Sequence, residues 1–305
     1  MREIQAGGAG ANDARARGAP DTGAAAHETG RAGARAPAAD GGRATAEAAL
    51  SCTELHKGFG GVQAVRGASF SVPAGHVCAL IGPNGAGKTT AVNLISGMMS
   101  PDRGRVLLGG TDITGWPANR IARAGLIRTY QLSREFGRLT VLENLMVTPA
   151  GQAGESLWNV FFRPGKVRAE ERRHLGRALG ILRTFGLYEL RDNYASELSG
   201  GQKRLLELAR AVMAGPRLLL LDEPMAGINP ALIDRIGEHI LRLKDEGVTV
   251  LMVEHNLGVV ERICDQVIVM AEGATLATGQ MSELRADPAV VRAYLGGALS
   301  DSVAS

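Results

Sequence analysis

The run Gly82-Pro-Asn-Gly-Ala-Gly-Lys-Thr-Thr90 constrains what this chain can fold into more than any other feature. It satisfies G-x-x-x-x-G-K-[ST] and lies between an apolar stretch, Val77–Ile81, and a segment with Ala91, Leu94 and Ile95 at helical spacing. Strand, loop and helix in that order are the setting of a phosphate-binding loop. Gly82, Gly85 and Gly87 let the backbone curl until successive N–H groups converge on one anion, with Pro83, Asn84, Ala86 and Thr90 completing the run. The following helix adds the positive end of its dipole. Lys88 supplies a mobile charge for β- and γ-phosphates, and the Thr89 hydroxyl is a ligand for Mg²⁺. A glycine-rich turn with an incidental Lys-Thr is the plain alternative, and the flanking elements outweigh it. The implied ligand is a nucleoside triphosphate.

A second cluster follows downstream. Leu218-Leu-Leu-Leu-Asp-Glu223 is a continuous apolar run ending in two acids, the pattern of an interior parallel strand whose C-terminal end meets a ligand. Asp222 is placed to hold Mg²⁺. A second carboxylate beside a metal–triphosphate repels the anion, so Glu223 is assigned to chemistry, orienting and deprotonating the attacking water. Phe59, in the loop Lys57-Gly-Phe-Gly-Gly61, is either a loop aromatic under a sheet edge or a platform for a stacked base. His255 and Gln131, each after an apolar stretch, carry little weight alone. Ser199, Gly200 and Gly201 open a periodic helix, where their N–H groups and the hydroxyl form an anion site or the serine only caps its own helix.

Composition narrows the class. The 305 residues carry 34 basic and 31 acidic side chains, a net charge of +3 that gives no argument for a nucleic-acid partner. Cys52, Cys78 and Cys264 are far apart, and Cys78 and Cys264, set among apolar residues, read as buried thiols of a reducing compartment. Apolar runs are of strand length, too short for a membrane span, and a signal-peptide core is lacking, so the expectation is a cytoplasmic protein. Residues 1–48 are rich in Ala, Gly and Arg and read as disordered. Strands are expected at Cys52–His56, Val62–Arg66 and Ala68–Val72. From Val77 onward strands and helices alternate, an α/β pattern, with a helix-only stretch at about 132–196 and a flexible tail at 298–305. In the helix after Gln202, Leu205, Leu208, Ala209, Val212 and Met213 are expected inside and Lys203, Arg204, Glu207 and Arg210 outside.

Together these motifs resemble the nucleotide-binding subunit of an ABC transporter over about residues 50–297. Leu198-Ser-Gly-Gly-Gln202 is similar to the signature that separates ABC ATPases from other P-loop proteins. The resemblance implies a RecA-like P-loop core, an antiparallel β subdomain and an inserted helical subdomain. It also implies that Gln131 is the Q-loop residue acting in catalysis and on the metal, His255 the switch histidine, Ala226-Gly-Ile-Asn229 the D-loop and Phe59 the adenine platform. ATP and Mg²⁺ are the implied ligands. A second ATPase subunit, identical or not, is implied as a head-to-tail partner whose Ser199, Gly200, Gly201, Gln202 and Asn229 complete the site. Two membrane permease subunits follow, with a solute-binding protein acting indirectly and the chain peripheral on the inner face of the membrane.

Arg128-Thr-Tyr-Gln131, Leu139-Thr-Val-Leu-Glu-Asn-Leu145, Met225-Ala-Gly-Ile-Asn-Pro230 and Arg292-Ala-Tyr-Leu-Gly296 are most similar to the branched-chain amino acid uptake type. Asn256, after the histidine, departs from the Asp usual there. It is shared with lipopolysaccharide-export ATPases, so an exporter of lipid or lipopolysaccharide stays open, and a soluble non-transport ABC ATPase is a separate alternative.

Overall fold

The computed structural model describes residues 47–129, 136–149 and 164–301. Two sheets organise them. The first is antiparallel, in the order β2-β1-β4-β5, built from β1 (Ala48–Phe59), β2 (Val62–Pro73), β4 (Arg103–Leu108) and β5 (Thr111–Asp112). The second has the order β10-β9-β3-β8-β7-β6. Its strands β6 (Leu126–Arg128), β7 (Leu218–Asp222), β8 (Thr249–Val253), β3 (Val77–Ile81) and β9 (Gln266–Ala271) run parallel, and β10 (Ala274–Gly279) closes one edge antiparallel.

The apolar strands are buried on both faces, which is why they read as unbroken hydrophobic runs. Successive side chains alternate between faces. Val77, Ala79, Ile81, Leu219 and Leu221 therefore join one core, while Cys78, Leu80, Leu218 and Leu220 join the other. The first core is covered by α5 (Gly200–Met213), α6 (Pro230–Asp245) and α7 (Leu257–Ile263). The second is covered by α1 (Lys88–Ile95), α2 (Ala118–Arg123) and the antiparallel sheet. The expected α/β P-loop core and β subdomain are both present. All three cysteine thiols are pushed up by burial, Cys78 to about 12.

Several expected boundaries move. Val62–Arg66 and Ala68–Val72 are one strand, because Gly67 is taken up as an extra residue between the pairs Leu55–Ala68 and His56–Arg66, next to a second irregularity where Glu54 takes φ 50 opposite Ser69. The first strand begins at Ala48, inside the stretch expected to be unstructured, whose residues 1–46 lie outside the described residues. The last helix, α9 (Pro288–Asp301), carries residues 298–301 that were expected in a tail. α8 (Met281–Leu284) precedes it.

Between 132 and 196 the described residues form α3 (Val141–Met146), α4 (Pro164–Thr184) and two 3₁₀ turns, with one isolated bridge, Thr140 to Tyr194, and no named strand. Thr140 and Glu143 make a complete capping box that starts α3. In α5 the inside–outside pattern fails at Arg204 and Glu207, which both turn inward. Glu207 is buried and pairs with Arg204, because Leu205, Leu206, Leu208 and Ala209 on either side turn that part of the helix inward.

Candidate nucleotide-binding site

β3 ends at Ile81 and α1 begins at Lys88, so the loop is short and tightly walled. A Cβ on Gly82 would lie 2.1 Å from the Met270 carbonyl oxygen. One on Gly87, at φ 91, would lie 2.4 Å from that of Ala64. Both obstacles are backbone, so no side chain can swing aside and glycine is required. The loop is thus clamped between β9 and β2. The last helix also reaches it. Burial pushes the Tyr294 hydroxyl up to about 12, against a hydrogen bond with the Gly82 backbone.

Lys88 Nζ donates to the carbonyls of Gly82 at 2.8 Å and Pro83 at 2.9 Å, curling the loop around its own ammonium. Burial lowers its pKa and the nearby Glu223 charge opposes that shift. Gly87 caps α1 without a side-chain bond, leaving the first N–H groups of the helix for an anion. Asn84, Gly85 and Thr89 are exposed at the mouth, Ala86 is buried, and Pro83 and Thr90 are half-buried.

Asp222, the last residue of β7, meets Arg128 from β6. Arg128 Nη2 donates to Asp222 Oδ2 at 2.8 Å, and Nη1 donates to Asn93 Oδ1 at 2.7 Å and Ser96 Oγ at 2.9 Å. That bridge ties the carboxylate to α1. The exposed Thr89 hydroxyl and the Asp222 carboxylate are hard oxygen donors, few in number, which fits Mg²⁺ held mainly by substrate phosphates and water. Gln131 lies outside the described residues.

Glu223 sits at φ 47, a left-handed conformation that costs a side-chain-bearing residue about 1–3 kcal/mol. Its N–H donates to the Val253 carbonyl at 3.0 Å, and its Oε1 is 3.0 Å from His255 Nε2. The two residues, singled out just beyond the ends of β7 and β8, therefore form a dyad. The buried Glu254 supports it by accepting from the N–H groups of Met225 (2.9 Å), His255 (3.1 Å) and Asn256 (3.3 Å).

Other expected ligands have structural partners. Ser199 and Gln202 form a capping box, with Ser199 N–H donating to Gln202 Oε1 at 2.8 Å and Gln202 N–H to Ser199 Oγ at 3.3 Å. Ser199 and Gly200 are nonetheless exposed, and Gly201 packs on Leu232. Asn229 caps α6 and Asn256 caps α7 through their side-chain oxygens. Phe59, at the tip of the β1–β2 hairpin, is 46 % exposed, with Lys57 Nζ 5.9 Å from its ring centroid.

Sequence reasoning missed the supports: Arg128, Arg204 with Glu207, and Glu254. The one available signal was an acid, Glu207, set among apolar neighbours.

A glycine-walled phosphate loop on a parallel strand, with Asp222 and Glu223 at the end of another, defines a P-loop nucleoside triphosphatase. Residues 65–226 match the family described as ABC transporter, and residues 274–299 match that described as branched-chain amino acid ATP-binding cassette transporter. The chain is 40 % identical to the probable branched-chain amino acid transport ATP-binding protein LivG of Archaeoglobus fulgidus, over 81 % of this chain and 95 % of the relative. It is also 40 % identical to the high-affinity branched-chain amino acid transport ATP-binding protein BraF of Pseudomonas aeruginosa, over 81 % and 97 %. A nucleotide-free ATP-binding cassette from an ABC transporter superposes with a TM-score of 0.70 at 37 % identity, covering 80 % of this chain and 97 % of that one. The chain belongs to the ABC transporter family, as one of its ATP-hydrolysing cassettes.

Proposed function

We propose that this chain hydrolyses ATP to drive uptake of branched-chain amino acids or a related small solute, as one half of an ATPase dimer on the inner face of a cell membrane. The observation that carries the chemistry is the Glu223–His255 dyad beside the Lys88 loop. Phosphates enter the loop in place of the carbonyl contacts of Lys88, and Phe59 stacks on the adenine. Mg²⁺, held by Thr89 and Asp222 and, by family resemblance, Gln131, supplies charge neutralisation on the phosphates. Glu223 orients a water and takes its proton as the water oxygen bonds to the γ-phosphorus and the bond to the ADP oxygen breaks. His255 fixes the Glu223 carboxylate. Ser199, Gly200, Gly201 and Gln202 of a second subunit, with its Asn229, close the γ-phosphate side.

The names of the relatives support the solute, and the family resemblance supports the assembly: two membrane permease subunits, served by a solute-binding protein. The Asn256 shared with export ATPases carries no weight against this, since its side chain caps α7 and Asn and Asp cap equally well.

The test is Glu223→Gln. Hydrolysis falls by about a hundredfold or more while ATP still binds, because shape is kept and only the proton acceptor is lost. Near-normal turnover contradicts the assignment. With permeases and binding protein reconstituted, leucine, isoleucine or valine stimulates the ATPase, and indifference to all three overturns the solute.

A further inference from the structure

α5 carries two charged residues that the chemistry above does not use, and both point into the molecule. Glu207 is 9 % exposed. Arg204 Nη1 donates to Glu207 Oε2, its Nε to the Pro224 carbonyl at 3.1 Å, and its Nη2 to the Glu223 carbonyl at 2.8 Å and the Asp222 carbonyl at 3.4 Å. All three carbonyls belong to the turn that leaves β7. Thr129, Leu208, Leu221 and Ile236 line the same pocket. Only a guanidinium has enough donors in a fixed fork to span a carboxylate and three carbonyls, and the carboxylate compensates its desolvation.

Glu223 stands in this turn at φ 47. Such a backbone persists only where its surroundings over-determine it. Two restraints come from the β8 side: Val253 accepts the Glu223 N–H and Glu254 accepts that of Met225. Arg204 is the restraint from α5.

We propose that Arg204, clamped by Glu207, is a positioning residue that holds the Glu223 backbone in its left-handed turn and thereby aims the carboxylate at the attacking water and His255. This rests on Glu223 being the base. It also places the Ser199 cap, which meets the partner's nucleotide, on the same helix as the group that aims this chain's own base.

The test uses the full chain and four variants. Arg204→Lys leaves a point charge that cannot span the four oxygens. Arg204→Met with Glu207→Leu removes both charges, so no lone carboxylate is left buried and the fold is kept. In both, kcat falls about ten- to a hundredfold, as expected for a misaimed base. KM and the affinity for a fluorescent ATP analogue stay within about twofold, because ground-state phosphate contacts are untouched. The double variant melts near the wild-type midpoint. Glu207→Gln, which keeps an acceptor for Arg204, retains most of the activity. Wild-type kcat in the double variant overturns the proposal. So does a joint fall of kcat, affinity and melting midpoint, the mark of a merely structural pair. Glu223→Gln run alongside separates the two levels. Normal turnover there removes the base assignment, whereas an inactive Glu223→Gln beside a normal double variant removes only the role of Arg204.

Discussion

At the scale of single residues, the site is a set of groups held by backbone. Lys88 is pre-curled onto the Gly82 and Pro83 carbonyls, so binding exchanges two neutral acceptors for an anion. Lys88→Ala removes that charge-assisted contact and weakens ATP binding by about 1.5–3 kcal/mol, measurable by titrating a fluorescent analogue. Unchanged affinity in a folded variant contradicts the role. Lys88 and Thr89 were legible from the spacing of the glycine loop, Asp222 and Glu223 from their place at the end of an apolar run, and His255 only through the resemblance to ABC ATPases. Arg128, Arg204 and Glu254 were not. Each acts on a carboxylate or a carbonyl or N–H far away in sequence, and nothing local in the chain announces a bond such as Arg204 to Glu223.

At the scale of elements, caps and packing decide. Ser199 both starts α5 and stands exposed at its tip. Ser199→Ala costs about 1 kcal/mol of stability through the lost cap. A thermal melt reads that loss, and hydrolysis falling far beyond it shows a second role for the hydroxyl. Between α4 and α6, His239 is buried against Phe185, with ring centroids 4.3 Å apart. Burial lowers its pKa, reinforced by Arg242 and Arg235 and opposed by Glu238. Below about pH 6.5 the unfolded chain takes up a proton that the folded chain resists, so stability falls as pH drops through that value. His239→Phe flattens this part of the melting profile between pH 8 and 5. An unchanged slope rules out His239 as its source. Element types followed from periodicity, whereas the joining of β2 through Gly67 did not, because a glycine in an alternating pattern reads as a break when its partner strand is unseen.

At the scale of the whole molecule, the surface suggests where partners sit. A groove of about 760 Å³ between α3 and α4 is lined by Glu143, Met146, Val147, Arg168, Glu171, Arg172 and Leu175. We propose it as the permease docking site, because it lies in the helical stretch that follows Gln131 in the sequence. Glu143 also caps α3, so reversing its charge would damage the helix itself. Arg172→Glu, exposed on α4, is the cleaner probe. It uncouples reconstituted transport while leaving the soluble ATPase intact, and a joint loss of both in a folded variant contradicts docking there. Among the described residues no helix is long and apolar enough to cross a membrane.

The most direct measurement is complementation between two inactive chains. Ser199→Arg keeps the Lys88 loop but spoils the signature offered to a partner, and Lys88→Ala does the reverse. Each alone is inactive. Mixed in equal amounts, about half the dimers hold one composite site with both halves intact, restoring up to about a quarter of the wild-type rate. Recovered hydrolysis, with ATP-dependent dimers of Glu223→Gln on size exclusion, is the predicted result. A monomer that hydrolyses ATP at a rate independent of protein concentration, with no recovery on mixing, contradicts it.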